Sequence, residues 1–95
     1  MKNVRTYAAN CLKEEAQAIM GLIPLLDDNF DKAVEMMYSC QGKVIVTGVG
    51  KSGHIGAKIA ATLSSTGTPS FFLNPLDAYH GDLGVMTPDD IVLAI

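Results

Sequence analysis

Apolar side chains recur along residues 3–26 in steps of three and four: Val4, Ala8, Cys11, Leu12, Ala16, Ile19, Ile23 and Leu26. That spacing predicts one face of a helix, with Lys13, Glu14 and Gln17 on the other side. Pro24 loosens its last turn. Asp27-Asp28-Asn29 reads as a connection and N-cap. A second helix follows, with Phe30, Val34, Met37 and Tyr38 on one face, and Gly42 sits where the glycine after a helix end belongs.

The rhythm then changes. Residues 43–47, KVIVT, are short, β-branched and not alternating, as in a parallel strand buried on both faces. Glycines come next, and residues 52–66 place Ile55, Ile59 and Leu63 at i, i+4 and i+8. This predicts a third helix, rich in Gly56, Ala57, Ala60, Ala61, Ser64 and Ser65, small residues that let it lie close on a sheet. Gly67 ends it and Pro69 prevents its continuation. SFFL at 70–73 predicts a second strand, 74–90 a loop with about one helical turn, and IVLAI at 91–95 a third buried strand. Apolar strands alternating with connections predict an α/β fold, a three-layer doubly wound parallel sheet preceded by two helices. Three strands are thin for that class, and the expectation is a helical segment over 1–41 followed by the first half of a larger domain over 42–95.

Composition narrows the partners. The 95 residues are 48% hydrophobic and 18% charged, with a net charge of −3. That is too apolar for a disordered chain, and there is no basic patch for nucleic acid. No apolar run approaches the roughly 20 residues needed to cross a bilayer. The first residues, MKNVRTYAANCLKEE, lack a signal peptide's apolar core, so a cytoplasmic protein without a membrane partner is expected. Cys11 and Cys40 have no metal-ligand spacing and are expected to be reduced, partly buried thiols.

The chemistry concentrates in KVIVTGVGKSGHIG, residues 43–56. Three phosphate-binding devices resemble it. The nucleotide P-loop needs a leading glycine at position 45, where the chain has Ile45, so that loop is excluded. The dinucleotide fingerprint is met by Gly48, Gly50 and Gly53, but it lacks the acid at the end of the second strand, where Asn74 and Pro75 stand. A sugar-phosphate site needs neither adenine nor ribose. Its anion meets free N–H groups and the positive dipole end of a helix starting near Ser52, close to Gly50, with Lys51 as a mobile cation. The plainer alternative is that the glycines only make a tight strand-to-helix turn.

Two further clusters follow: STGTP at 65–69, and DAYHGDLG at 77–84 with His80 and Asp82. Ligands of open parallel sheets sit beyond the carboxyl ends of the strands, which puts Lys51 and the His80 loop on one edge. His80 is suited there to proton transfer or to a hydrogen bond with a sugar. His54, in the first turn of the helix, fits local packing and substrate contact equally well.

These blocks, in this order and spacing from Gly42 to Ile95, closely resemble the sugar isomerase (SIS) domain of arabinose 5-phosphate isomerases. The resemblance implies interconversion of D-arabinose 5-phosphate and D-ribulose 5-phosphate, which supplies the acid sugar Kdo of lipopolysaccharide or capsule. The reaction passes a proton between C1 and C2 through an enediol and implies no cofactor. Carried over by position, Lys51 resembles the active-site lysine and His80 the histidine that contacts the sugar. Gly50, Ser52, Gly67, Thr68 and Asn74 fall at substrate-contact positions. The family's strand order, 2-1-3-4-5, implies a crevice between strands one and three, and its members are usually tetramers.

The chain departs from the family in places. Where the family reads H-P-G-E-A, this sequence has Asn74-Pro75-Leu76-Asp77-Ala78. Asn74 replaces the histidine associated with zinc, and asparagine is a poor zinc ligand, so no metal is expected. The family's serine-rich phosphate loop, remaining catalytic groups and frequent CBS domains lie past strand three, so a chain of these residues alone is expected to be inactive. The alternative is a sugar-phosphate-binding regulatory SIS module without catalysis. It would carry a DNA-binding helical domain, whose basic recognition helix is not visible in residues 1–41. A dinucleotide-binding oxidoreductase ranks third.

Overall fold

The structure is a computed structural model and describes residues 3–95. It divides into two compact units, one up to Lys32 and one spanning Ala33–Ile95. The first holds helix α1 (Val4–Met20), a 3-10 turn (Ile23–Leu25) and the start of α2 (Asp28–Tyr38). The helix expected over 3–26 stops early because Pro24 has no N–H for the preceding turn, so the chain tightens into 3-10 bonds, Leu25 N–H to Leu22 O and Leu26 N–H to Ile23 O. The expected N-cap forms: Asp27 Oδ1 accepts from the N–H of Asn29 and Phe30 at 3.0 and 3.4 Å. No residue of α1 is buried. Cys11 is therefore exposed, against expectation, whereas Cys40 is half-buried as expected; both are free thiols. In α2 only Met37 is drawn toward the core, while Tyr38 is 92% exposed; a step of about 100° per residue turns Tyr38 off the face that Met37 shares.

The second unit is a parallel sheet of β1 (Val44–Thr47), β2 (Ser70–Phe72) and β3 (Ile91–Ala94), in the order β2-β1-β3. This is the expected α/β arrangement and the first part of the expected strand order. β1 is central, and Val44, Ile45 and Val46 are fully buried. Burial of a side chain of that size contributes about 1.5–3 kcal/mol, which makes this run the anchor of the fold. Helix α3 (Lys51–Ser65) lies on one face, with Gly53, Gly56 and Ala60 buried, so small residues do permit a close approach. It ends in a Schellman turn: Thr68 N–H reaches Leu63 O at 2.8 Å, Gly67 N–H reaches Ser64 O at 3.4 Å, and Gly67 has φ 103°. Ile45, Thr47, Leu73 and Val92 face the other side, under helix α4 (Pro75–Tyr79) and a 3-10 turn (Asp82–Val85).

Two expectations change. β3 is not buried on both faces: Ile91 and Leu93 turn to the core, but Val92 is 51% exposed. Among the described residues β3 pairs with β1, and its side chains alternate in exposure with the strand period of two. Gly42 does not close α2, which ends four residues earlier. A Cβ there would stand 2.8 Å from the Asp89 carbonyl and would also strike Asp90 Oδ1. The glycine admits the chain that leads into β3.

That approach is bonded on all sides. Gly42 N–H donates to Asp89 O at 3.0 Å, Asp90 Oδ1 accepts from Lys43 N–H at 2.7 Å, and Asp90 Oδ2 accepts from Thr87 N–H at 2.8 Å. The Asp90 side chain is shut off from solvent. The Lys43 backbone bond, then that of Thr87, holds its carboxyl below the usual range; the Lys43 ammonium, 3.9 Å away, adds a smaller push in the same direction.

Candidate functional site

β1 ends at Thr47, and the chain turns into α3 through Gly48, Val49 and Gly50. Gly50 caps the helix at φ 60° and ψ −126°, a conformation side-chain-bearing residues avoid. Its carbonyl accepts the N–H groups of Gly53 and His54 at 3.0 and 3.3 Å. The amides of Lys51 and Ser52, in the first helical turn, have no carbonyl acceptor among the described residues. They are free for an anion, in the field of the helix dipole.

The three glycines divide in role. A Cβ at Gly53 would lie 2.8 Å from Gly48 O, and one at Gly48 would lie 2.9 Å from the Ser52 carbonyl carbon. Those two serve the tight turn, as the plainer reading holds. Around Gly50 nothing lies within 4 Å of the added carbon, so that position alone keeps space open for a ligand.

A cavity of about 310 Å³ opens beside this turn, lined by Gly48, Gly50, Gly53, His54 and Ala57 from the turn and α3, and by Phe72 and Asn74 from the end of β2. A second hollow, of about 140 Å³, shares Gly48, Gly50 and Asn74 and adds Val49, Pro75 and Leu76. Asn74 is thus a common wall. Its Oδ1 accepts from Leu76 N–H at 2.8 Å and caps α4, with Pro75 in the first turn. This cap is a physical reason for asparagine at that position, and it leaves the carboxamide NH₂ for a ligand.

Lys51 and His80 both lie at the carboxyl edge, as expected: Lys51 is exposed at the first position of α3, and His80 is exposed at the end of α4. Neither lines the two hollows. The His80 ring meets Tyr79 edge-on, with centroids 5.3 Å apart, and its backbone N–H donates to Leu76 O and Asp77 O, both at 3.1 Å. Gly67 and Thr68 do not join this group. They follow the far end of α3, about 22 Å along a helix of 15 residues, at the edge where the strands begin. The walls of these two hollows lie on the β2 side of the turn. His54 lines the larger cavity; its position one turn into a helix after a glycine cap is the available sequence signal. Among the described residues no group of three His, Cys, Asp or Glu is placed to hold a metal, and no helix is long and apolar enough to cross a membrane.

Comparison with known proteins gives this geometry a family. The chain is 55% identical over 84 residues to the arabinose 5-phosphate isomerase KdsD of Yersinia pestis, covering 88% of this chain and 26% of that protein. It is 56% identical over 81 residues to KdsD of Escherichia coli K12, covering 85% of this chain and 25% of that one. The chain therefore spans about a quarter of the length of the curated relatives it matches. A solved structure of an E. coli CFT073 protein in complex with arabinose 5-phosphate superposes with a TM-score of 0.86 at 42% identity, over 99% of this chain and 51% of that one. Residues 37–95, which carry the sheet, the glycine turn and the Asn74 cap, match the SIS domain family, and the chain belongs to it.

Proposed function

We propose that the protein carrying this chain is a phosphosugar aldose–ketose isomerase that interconverts D-arabinose 5-phosphate and D-ribulose 5-phosphate. The observation that carries the reading is the shared cavity at the carboxyl edge. Gly48 and Gly50 meet Asn74 from the end of the neighbouring strand there, next in sequence to the amides of Lys51 and Ser52 that have no carbonyl acceptor among the described residues, in a chain similar to named arabinose 5-phosphate isomerases.

In this proposal the substrate phosphate lies against the amides of Lys51 and Ser52, where Gly50 leaves room. The Lys51 ammonium balances the negative charge that grows on the sugar as a proton leaves C2 and an enediol forms. The proton then returns at C1, so no electron leaves the substrate and no redox cofactor enters the step. His80 contacts the sugar and assists proton transfer, and Asn74 directs its carboxamide NH₂ at a substrate oxygen. Gly67 and Thr68, at the opposite edge, reach a substrate only across a neighbouring subunit, which fits the homotetramer implied by the family resemblance. Residues 1–41 serve as the helical segment and 42–95 as the first half of the SIS domain.

The test is a coupled assay of the full-length protein with both pentose phosphates. Lys51→Ala is expected to lower kcat by about 10²–10⁴-fold. Tight binding of arabinose 5-phosphate without turnover would instead make the protein a sugar-phosphate-binding regulatory module.

A further inference from the structure

The larger cavity has two residues with polar side chains in its lining, His54 and Asn74, together with Phe72. Neither Lys51 nor His80 reaches it. The Asn74 Oδ1 accepts from Leu76 N–H, and its NH₂ keeps two donors. The backbone N–H of His54 is committed to Gly50 O, which pins the first turn that carries its imidazole. His54 stands three residues after Lys51, and side chains at that spacing are neighbours on a helix. A ligand held at Lys51 and the Gly50 turn therefore extends naturally along α3 toward His54.

The cavity's chemistry selects a hydroxyl-bearing ligand. An imidazole both donates and accepts, a carboxamide NH₂ donates, and an aromatic ring covers aliphatic C–H groups. A phosphate alone would leave the Phe72 wall and the imidazole acceptor unused. We propose that His54, which lines the same cavity as Asn74, is a substrate-contact residue that reads the sugar hydroxyls, while the amides of the Lys51 turn hold the phosphate. This rests on the sugar-phosphate reading above and adds to it which residue distinguishes one pentose phosphate from another.

The experiment uses the full-length protein and two probes: D-arabinitol 5-phosphate, an unreactive polyol phosphate, and inorganic phosphate, which has no hydroxyl chain. His54→Ala is expected to weaken arabinitol 5-phosphate binding about tenfold in calorimetry, with inorganic phosphate binding unchanged. His54→Gln, which keeps a donor and an acceptor, is expected to recover most of the loss. An exposed residue leaves the melting temperature unchanged, which separates lost contact from lost structure. Unaltered arabinitol 5-phosphate affinity in His54→Ala overturns the proposal, and so does an equal loss for both probes. A wild-type protein that binds arabinitol 5-phosphate without isomerising pentose phosphates overturns the enzymatic reading instead and leaves the His54 comparison intact.

Discussion

Where the strands begin, Gly42, Ser64, Ser70 and Asp90 tie neighbouring segments together; where they end, the amides of Lys51 and Ser52 have no carbonyl acceptor among the described residues, and Gly50 and Asn74 line a cavity. At the first edge the Ser64 hydroxyl donates to Ser70 O at 2.6 Å and accepts from Ser70 N–H at 3.2 Å, and the Ser70 hydroxyl donates to Val44 O at 2.6 Å. The Asp90 carboxylate takes backbone N–H groups on both oxygens. At the second edge the one comparable clasp among the described residues is Thr47 Oγ1 to Leu73 O, and the turn beyond it is left with free donors. The same sheet thus uses polar groups for cohesion at one end and leaves backbone donors without carbonyl partners at the other. Glycine follows the same division: at Gly42 it admits the chain's own backbone, and at Gly50 it admits space.

Substitutions at these positions break the contrast from either side. The largest effect on stability is expected from Gly42→Val, whose side chain would have to displace backbone at Asp89. A loss of about 3 kcal/mol or more is expected in denaturant titration. Gly50→Ala meets no atom but must hold φ 60°, at a cost of about 1–2 kcal/mol. Sugar-phosphate affinity is expected to fall with it, because the added methyl group occupies the open position. Asp90→Asn is expected to lower stability at neutral pH, because its NH₂ would face one of the two N–H groups that the carboxylate accepts, and it shows its character in acid. The carboxyl's lowered folded-state value means its contribution is fully present above the unfolded value of about 3.9 and is lost as pH falls through the lowered one. The variant is expected to flatten the wild-type decline in melting temperature across that window. An unchanged slope would show that the clasp carries no linkage.

Most of this architecture is legible in the chain. VIVT at 44–47 reads as a doubly covered strand because it is short, β-branched and not alternating, and it is the centre of the sheet. IVLA at 91–94 is likewise apolar throughout, yet Ile91 and Leu93 turn to the core while Val92 is exposed, a difference between the two sheet faces that an unbroken apolar run does not encode. α4 is only five residues long and shows no usable periodicity; its signal is Asn74-Pro75, a cap followed by the one residue whose missing N–H costs a helix start nothing. Gly42 misleads because a glycine after a helix and a glycine beneath a crossing chain look identical in one dimension. The site is visible as a glycine turn with a lysine, but the choice of wall is not. The lining of the cavity depends on how the segment after β2 folds back beside α3, and this brings in His54 and Asn74 but not His80.

The bond from Lys43 N–H to Asp90 joins residues 47 apart in the sequence, and the Cys40 Sγ contact with Asp89 O spans 49. The β1–α3–β2 crossover closes over 26 residues, between Val44 and Ser70. Bringing distant chain together costs entropy that grows with the logarithm of the loop, and that cost comes before any gain from the contact. The order of assembly that follows is crossover first, with β3 fastened last by its aspartate. A weakened Asp90 clasp should therefore act mainly on how long the native sheet lasts before it opens, with little effect on how fast it forms.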